Sequence, residues 1–161
     1  MKKILSILWY ILTAAIIIVD FAVKRHIMTT YSVGEVFGGI PGICNFIYVK
    51  NTGAAFSMLS NNTIILSVIS IVFCIAAVVY WFWKKPEHPM LRLAVVLLFA
   101  GALGNAIDRI AYKFVVDFIS ITWFDFPVFN IADMAIVGGA IAAVIFVLFF
   151  DRDKKDGKTD N

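Results

Sequence analysis

Four long segments of mostly apolar residues constrain this chain more than any other feature of its sequence. They cover residues 4–23, 63–83, 91–110 and 131–150. Because roughly 20 apolar residues let a helix cross the hydrocarbon core of a bilayer, each segment predicts a transmembrane helix. Only helices and closed barrels pair all their backbone polar groups in lipid, and uninterrupted runs of this length indicate helices. We therefore predict an all-α membrane protein built on a four-helix transmembrane bundle.

The composition agrees with a single membrane domain over residues 1–161. The chain is 61% hydrophobic, above the roughly 45–50% of soluble proteins. Its start, two lysines followed by an apolar run, also resembles a secretory signal peptide. That run continues to Asp20 without a small-x-small cleavage site, and three more apolar segments follow. We therefore interpret it as the first span.

The basic residues predict the orientation of the spans. Nine of them lie on one face of the predicted bundle: Lys2, Lys3, Lys84, Lys85, Arg92, Arg152, Lys154, Lys155 and Lys158. Five are spread over longer segments on the other face: Lys24, Arg25, Lys50, Arg109 and Lys113. Since cytoplasmic loops carry the excess of lysine and arginine, both termini are predicted to be cytoplasmic. The polar tail, residues 151–161, is expected to be disordered.

The two extracytoplasmic segments, residues 24–62 and 111–129, differ in character. The first is punctuated by glycines, and within it Asn45–Val49 is rich in residues that favour strands. A small extracytoplasmic β-sheet is therefore predicted. The second segment predicts another strand or a short interfacial helix. Its aromatic residues suit the headgroup region, and they are Trp123, Phe124, Phe126 and Phe129.

Two aspartates in apolar surroundings are the strongest indication of function. Asp117 follows a run of Phe and Val residues, and Asp133 lies at the start of the fourth span. Ionisable groups in or beside a bilayer are costly and are usually functional. Two carboxylates on the same side of the membrane suggest a pair that shares a proton, as in aspartic proteases. Asn130 and Asp133 also suit a helix cap and its first turn, but no cap accounts for Asp117.

Two further groups of polar residues have both a structural and a functional explanation. Asp20 and Lys24 are four residues apart and so share a helix face. They form either a structural ion pair or part of a site that supports or contacts a substrate. Asn51 and Gly53 follow the predicted strand and favour a turn. The Asn51 side chain is alternatively placed to hold a peptide carbonyl.

The third predicted span contains small and polar residues at four-residue spacing: Gly101, Asn105 and Arg109 in one row, and Gly104 and Asp108 in the next. Small residues permit close helix packing, and an Asn can hydrogen-bond to a neighbouring helix. Asp108 lies near the unfavourable, C-terminal end of the helix dipole and therefore requires a partner, either Arg109 or Lys24. Arg109 can also donate to a carboxylate or a carbonyl.

Other kinds of chemistry have little support in the sequence. Cys44 is predicted in a loop and Cys74 in mid-membrane, so no disulfide is expected. Neither CxxC nor HExxH occurs, and two histidines supply little material for a metal site. Ser57 with Lys50, or Cys44 with His26, would be a nucleophile–base pair, but neither pair has a supporting motif. No basic stripe with interleaved aromatic residues indicates nucleic-acid binding.

Taken together, five short patches resemble the bacterial lipoprotein signal peptidase family, also called signal peptidase II. The patches are Asp20-x-x-x-Lys24, Asn51-x-Gly53-x-Ala55-Phe56, Gly101-Ala102-Leu103-Gly104-Asn105-x-x-Asp108-Arg109, Val115-Val116-Asp117-Phe118 and Phe129-Asn130-x-Ala132-Asp133. They occur in the family's order between residues 20 and 133, with the four predicted spans around them. Each patch alone is weak, and the combination is specific.

The resemblance implies an intramembrane aspartic endopeptidase of the bacterial cell membrane. It would remove the signal peptide of a prolipoprotein by cutting before a diacylglyceryl-modified cysteine. Asp117 and Asp133 would be the catalytic pair. The residues expected to line the site and hold the substrate backbone are Asn51, Asn105, Arg109 and Asn130. Those expected to support them are Asp20, Lys24, Asp108 and the glycines, including Gly53.

The same resemblance implies partners and cofactors. No metal or organic cofactor is needed, the substrate's acyl chains would lie in membrane lipid, and cyclic peptides such as globomycin would occupy the site. A monomer is the working expectation. Two alternatives remain from the residues alone: a proton-coupled carrier that uses Asp108, Asp117 and Asp133 as a relay, and a non-enzymatic scaffold. A carrier usually has internal repeats, which this chain lacks, and a scaffold leaves Asp117 unexplained.

Overall fold

The computed structural model describes residues 2–53 and 62–151. In chain order the helices are α1 (Lys2–Thr30), α2 (Thr63–Lys84), α3 (Pro89–Tyr112) and α4 (Ile131–Phe149). The strands are β1 (Val36–Ile40), β2 (Cys44–Asn51) and β3 (Val115–Ile121). Within these described residues, four helices are long and apolar enough to cross a membrane, and the strands form one small sheet. The predicted fold class is confirmed. Ala55, Phe56 and Ser57, like the tail from residue 152, lie outside the described residues.

Helix α3 is the centre of the bundle and contacts each of the other helices. Its glycines allow α4 and α1 to approach closely. A Cβ atom on Gly101 would overlap the carbonyl oxygen of Ala132, and one on Gly104 would lie 2.9 Å from Oδ2 of Asp20. The small-residue row predicted from the sequence therefore faces the two helices that hold the polar residues of the site.

The ends of the helices are set by local chemistry. Helix α3 begins with Pro89, and the imidazole Nδ1 of His88 accepts the backbone N–H of Met90. A proline in the first turn sacrifices no helical hydrogen bond. Helices α2 and α3 both end at lysines in the left-handed region, Lys85 at φ 45° and Lys113 at φ 66°. Each lysine's backbone N–H closes the last helical turn, and the helix ends there.

The three strands form an antiparallel sheet in the order β1-β2-β3 at one end of the bundle. The predicted strand at Asn45–Val49 is confirmed within β2, and the segment after α3 forms a strand rather than an interfacial helix. Asn51 pairs with Val115 in the β2–β3 register. Alternate residues of a strand share a face, so Asp117 lies diagonally across from Asn51.

Helix α1 continues to Thr30, beyond the end at residue 23 that hydropathy predicted. Its last turns pack beneath the sheet, where Ile27 and Tyr48 are buried together with Val116 and Phe118. Burial of this apolar cluster stabilises the extra turns. The sequence signal was obscured because Lys24, inside the extension, resembles the charged end of a span.

Candidate active site

The site lies where the sheet meets α1, α3 and the start of α4. Asp117 comes from the middle of β3 and is 1% exposed. Its carboxylate is held on both oxygens: Nδ2 of Asn51 donates to Oδ2 at 2.7 Å, and Nδ2 of Asn130 donates to Oδ1 at 2.6 Å. The strand thus presents an aspartate into the interior with its orientation fixed by two amides.

Asp133 is in the first turn of α4 and forms a capping box with Asn130. Oδ1 of Asn130 accepts the backbone N–H of Asp133 at 2.9 Å, and Oδ2 of Asp133 accepts the backbone N–H of Asn130 at 3.2 Å. The other oxygen, Oδ1, accepts from Nδ2 of Asn105 at 2.7 Å. Asn130 and Asp133 therefore form the helix cap expected from the sequence, and the same two residues lie beside Asp117.

Asn105 and Asn130 connect the two aspartates. Nδ2 of Asn130 donates both to Oδ1 of Asp117 and to Oδ1 of Asn105, the latter at 3.1 Å. Asn130 is fully buried and Asn105 nearly so. Because buried amides are oriented by their partners, these two side chains hold both carboxylates in a fixed relation.

A buried charge cluster lies behind the amides. The Lys24 ammonium is 2.8 Å from Oδ2 of Asp20, 3.1 Å from Oδ2 of Asp108 and 3.0 Å from Oδ1 of Asn105. Of the two partners considered for Asp108, the structure selects Lys24. Asp20 also accepts the backbone N–H of Ala132. Buried charges are tolerated when paired and hydrogen-bonded, and here the pairing also joins α1 to α3 and α4.

Arg109 extends the network to the turn after β2. One of its terminal nitrogens, Nη2, donates to the carbonyl of Gly53 at 3.3 Å, and the backbone N–H of Gly53 donates to Oδ1 of Asn51. Nε of Arg109 is buried and has no hydrogen-bond partner among the residues that the structure describes. Apart from Gly101 and Gly104, which permit close helix packing, the site residues predicted from the sequence therefore belong to one connected network.

The surroundings of Asp117 favour the protonated form of its carboxyl group. Burial and, second, the charge of Asp133 raise the pKa of Asp117 from its ordinary 3.8 to about 7. Hydrogen bonds from Asn51 and Asn130 and the charge of Lys24 act in the opposite direction. Desolvation and a like charge both disfavour the ionised form of Asp117.

A cavity of about 650 Å³ opens on this network. Its polar wall contains both aspartates with Asn51, Asn105 and Arg109. Its apolar wall contains Val115 and Ile121 of β3, residues 126–129 of the following loop, and Met134, Ile136, Val137, Gly138 and Ile141 of α4. The α4 wall was not predicted from the sequence. Residues spaced three to four apart lie on one face of a helix, and this spacing was the sequence signal that could have predicted the α4 wall.

Comparisons with known proteins identify the family of this chain. The sequence profile of the family described as Signal peptidase (SPase) II matches residues 12–149. A lipoprotein signal peptidase of Staphylococcus aureus is 42% identical over 144 residues, with 88% of each chain covered. One from Lactobacillus gasseri is 33% identical over 152 residues, with 94% of this chain and 99% of the relative covered.

Two solved structures, both described as bacterial membrane enzymes determined by the in meso method, have the same fold. One has a TM-score of 0.84 at 34% identity, covering 95% of this chain and 92% of the other. The second has a TM-score of 0.80 at 36% identity, covering 88% and 93%. With a family match along most of its length, this chain belongs to the signal peptidase II family and is an aspartic-type peptidase that removes signal peptides from prolipoproteins.

Proposed function

We propose that Asp117 and Asp133 are the catalytic pair of this peptidase. The observation that supports the pair most strongly is their shared partner: Asn130 donates to Asp117 through its side chain and to Asp133 through its backbone. Both carboxylates face the same cavity. Two carboxylates held this way cannot both ionise cheaply, so they share one proton.

The hydrogen bonds suggest a division of labour. Asp117 holds the proton, since burial and the charge of Asp133 raise its pKa to about 7. Asp133 is the base, because its oxygens accept from Asn105 and from the N-terminal backbone of α4, where a negative charge is favoured. In this scheme Asp133 removes a proton from water as the water oxygen attacks the scissile carbonyl carbon.

The remaining steps return both protons. Asp117 donates its proton to the carbonyl oxygen as the tetrahedral intermediate forms. When the C–N bond breaks, Asp133 transfers the proton it took from water to the leaving amine nitrogen. Asp117 recovers its own proton as the carbonyl re-forms. The scheme consumes one water per peptide bond and leaves the pair in its starting state.

Arg109 is proposed to bind the substrate backbone. Its Nη2 is engaged with the carbonyl of Gly53, whereas its buried Nε has no partner among the described residues and the side chain lines the cavity. A planar guanidinium can donate to a peptide carbonyl in a defined direction. Arg109→Lys should therefore raise KM more than it lowers kcat, and an unchanged KM would remove this role.

The substrate is proposed to be a prolipoprotein cut just before its diacylglyceryl-modified cysteine. Met134, Val137 and Ile141 line the cavity, and each is also more than half exposed on the surface of a span, at 55%, 58% and 55%. The cavity thus adjoins the lipid-facing side of α4, where a substrate anchored by acyl chains can enter laterally. Cyclic peptides such as globomycin are proposed to compete for the same cavity.

The test uses the purified full-length protein in detergent. A diacylated prolipoprotein should lose its signal peptide, and the same precursor without the diacylglyceryl group should be cut much more slowly. Asp117→Asn and Asp133→Asn should abolish cleavage. Equal rates for the two precursors would overturn the proposed specificity, whereas active Asp variants would overturn the proposed pair.

The orientation is proposed from the nine-to-five distribution of basic residues, with both termini in the cytoplasm and the sheet outside. Asp125, exposed in the loop after β3, and Lys85, exposed at the α2–α3 turn, lie at opposite ends of the bundle. In intact cells an impermeant thiol reagent should label Asp125→Cys and not Lys85→Cys. The reverse labelling would invert the orientation.

Since one chain contains the complete network, a monomer is the proposed working unit.

A further inference from the structure

The Lys24 ammonium uses all of its hydrogen-bonding capacity inside the protein. It is 1% exposed and contacts Asp20, Asp108 and Asn105. An ammonium has three N–H donors and no acceptor. Each donor therefore has a partner, and Lys24 has none left for a substrate. Any effect that Lys24 has on catalysis through hydrogen bonds must therefore pass through one of these three side chains.

Asn105 is the partner that leads to the catalytic pair. Its Oδ1 accepts from Nζ of Lys24 at 3.0 Å and from Nδ2 of Asn130 at 3.1 Å. Its Nδ2 donates to Oδ1 of Asp133 at 2.7 Å. Turning the amide over would bring its NH2 against two donors and its carbonyl against a carboxylate. In a buried site each such mismatch is costly.

We propose that Lys24 is a positioning residue of this peptidase, whose ammonium holds the Asn105 amide in the one orientation that directs its N–H at Asp133. The inference rests on the proposed catalytic role of Asp117 and Asp133. It assigns a reason for a lysine to be buried beside the active site. Asp133 then has one oxygen held by Asn105 and the other by the backbone of Asn130, so the plane of its carboxylate is fixed.

The orientation of the Asn105 amide also affects the contacts of Asp117. Because Oδ1 of Asn105 faces Asn130, one N–H of Asn130 is directed to Asn105 and the side chain also donates to Oδ1 of Asp117. Fixed geometry of catalytic groups contributes directly to rate. Loss of Lys24 should therefore lower kcat, while the substrate contacts that determine KM remain.

The experiment is a double-mutant cycle between Lys24 and Asn105. Lys24→Met has a similar length without charge or N–H, and Asn105→Leu has a similar size without an amide. Each should lower kcat about ten- to a hundredfold, as expected for losing a hydrogen bond to a charged group, with KM little changed. The double variant should be no slower than Asn105→Leu alone, because no amide is left to orient. Rates are normalised to folded, monodisperse protein.

Asp20→Asn is the matched control. It removes the negative charge of another partner of Lys24 but leaves the Lys24–Asn105 hydrogen bond possible, so its effect on kcat should multiply with that of Asn105→Leu. If the Lys24 and Asn105 losses multiply as well, or if Lys24→Met changes only KM, the proposal is wrong. A through-space charge effect of Lys24 would persist without Asn105 and would give that multiplicative result.

A further variant covers failure of Lys24→Met to fold. Lys24→Gln lacks the charge but keeps an N–H for Asn105, so it should retain more activity than Asn105→Leu and add no loss in that background. Asp117→Asn and Asp133→Asn are assayed in parallel. If either is active, the proposed catalytic pair fails; if both are inactive and the cycle is multiplicative, only the role of Lys24 fails.

Discussion

Nδ2 of Asn130 lies 2.6 Å from Oδ1 of Asp117, and this contact joins strand β3 to the N-terminal cap of α4. The same Asn130 closes the capping box with Asp133. A local feature that starts a transmembrane helix therefore also sets the relation between the two carboxylates. Changes that preserve the cap and changes that remove it should consequently have separable effects on stability and on activity.

Asp117→Asn should abolish cleavage with little loss of fold. The substitution keeps the size of the side chain but removes the proton that the pair shares, and loss of a general acid or base typically costs about a hundred- to ten-thousandfold in rate. Single-turnover cleavage of a diacylated prolipoprotein measures the effect. Turnover near that of the wild type would remove Asp117 from the mechanism.

Two substitutions at Asp133 should separate catalysis from capping. Asp133→Asn retains an oxygen for the backbone N–H of Asn130, so it should be inactive but keep this half of the capping box. Asp133→Ala loses that half of the capping box and should also lose about 1 kcal/mol of stability. Thermal unfolding in one detergent provides the comparison. Equal stability of the two variants would show that the cap contributes little.

Much of the fold was predictable because hydropathy alone determines where spans can lie. The candidate site was also predictable, since Asp117 and Asp133 are charges in apolar surroundings. Membership of the signal peptidase II family excludes the carrier and the scaffold that the residues alone had left as alternatives. The partner of Asp108 was not predictable. Lys24 and Arg109 were equally plausible by charge, and only the packing of α1 against α3 brings Lys24 to 3.1 Å.

Two structural features depended on long-range packing and left only weak sequence signals. The last turns of α1 are stabilised by contact of Ile27 with Tyr48, a residue distant in sequence. Strand β1 contains Gly38 and Gly39, which favour loops, and it forms because β2 pairs with it. Where tertiary contacts determine the conformation of a segment, its intrinsic secondary-structure propensity is a weak predictor.

Activity should fall as the pH rises through about 7, the value to which burial and Asp133 raise the pKa of Asp117. In the proposed scheme Asp117 must be protonated to donate to the carbonyl oxygen. Its proton is retained below that pH and lost above it, so the loss is on the alkaline side. A plot of kcat against pH in one detergent tests this. A rate that stays constant across the neutral range would assign the proton to another group.

Asn51→Leu should move this alkaline fall to higher pH. The hydrogen bond from Asn51 stabilises the ionised carboxylate and so lowers the pKa of Asp117. Without this hydrogen bond, less opposes the effects of burial and of the Asp133 charge, so the pKa of Asp117 rises further. Asn45→Leu, at an exposed position of the same strand, is the matched control and should leave the profile in place. A profile unchanged by Asn51→Leu would exclude Asn51 from tuning the pair.

Close packing of α3 against α4 at Gly101 brings the pair together. A Cβ atom on Gly101 would overlap the carbonyl of Ala132 and lie 3.1 Å from the backbone nitrogen of Ile136. Because these are backbone atoms of α4, they can yield only if the helix moves. Gly101→Ala should cost about 1–3 kcal/mol, the usual range for overpacking.

Gly138→Ala is the matched control on α4, since its new Cβ would lie 3.6 Å from Cδ1 of Leu97, an ordinary contact. Replacing a helical glycine without overlap should leave stability unchanged or raise it by up to about 1 kcal/mol. Displacement of α4 in Gly101→Ala should also shift Asp133 away from Asp117 and lower kcat. If Gly101→Ala unfolds at the wild-type temperature with full activity, α3 and α4 do not need to be in such close contact to form the site.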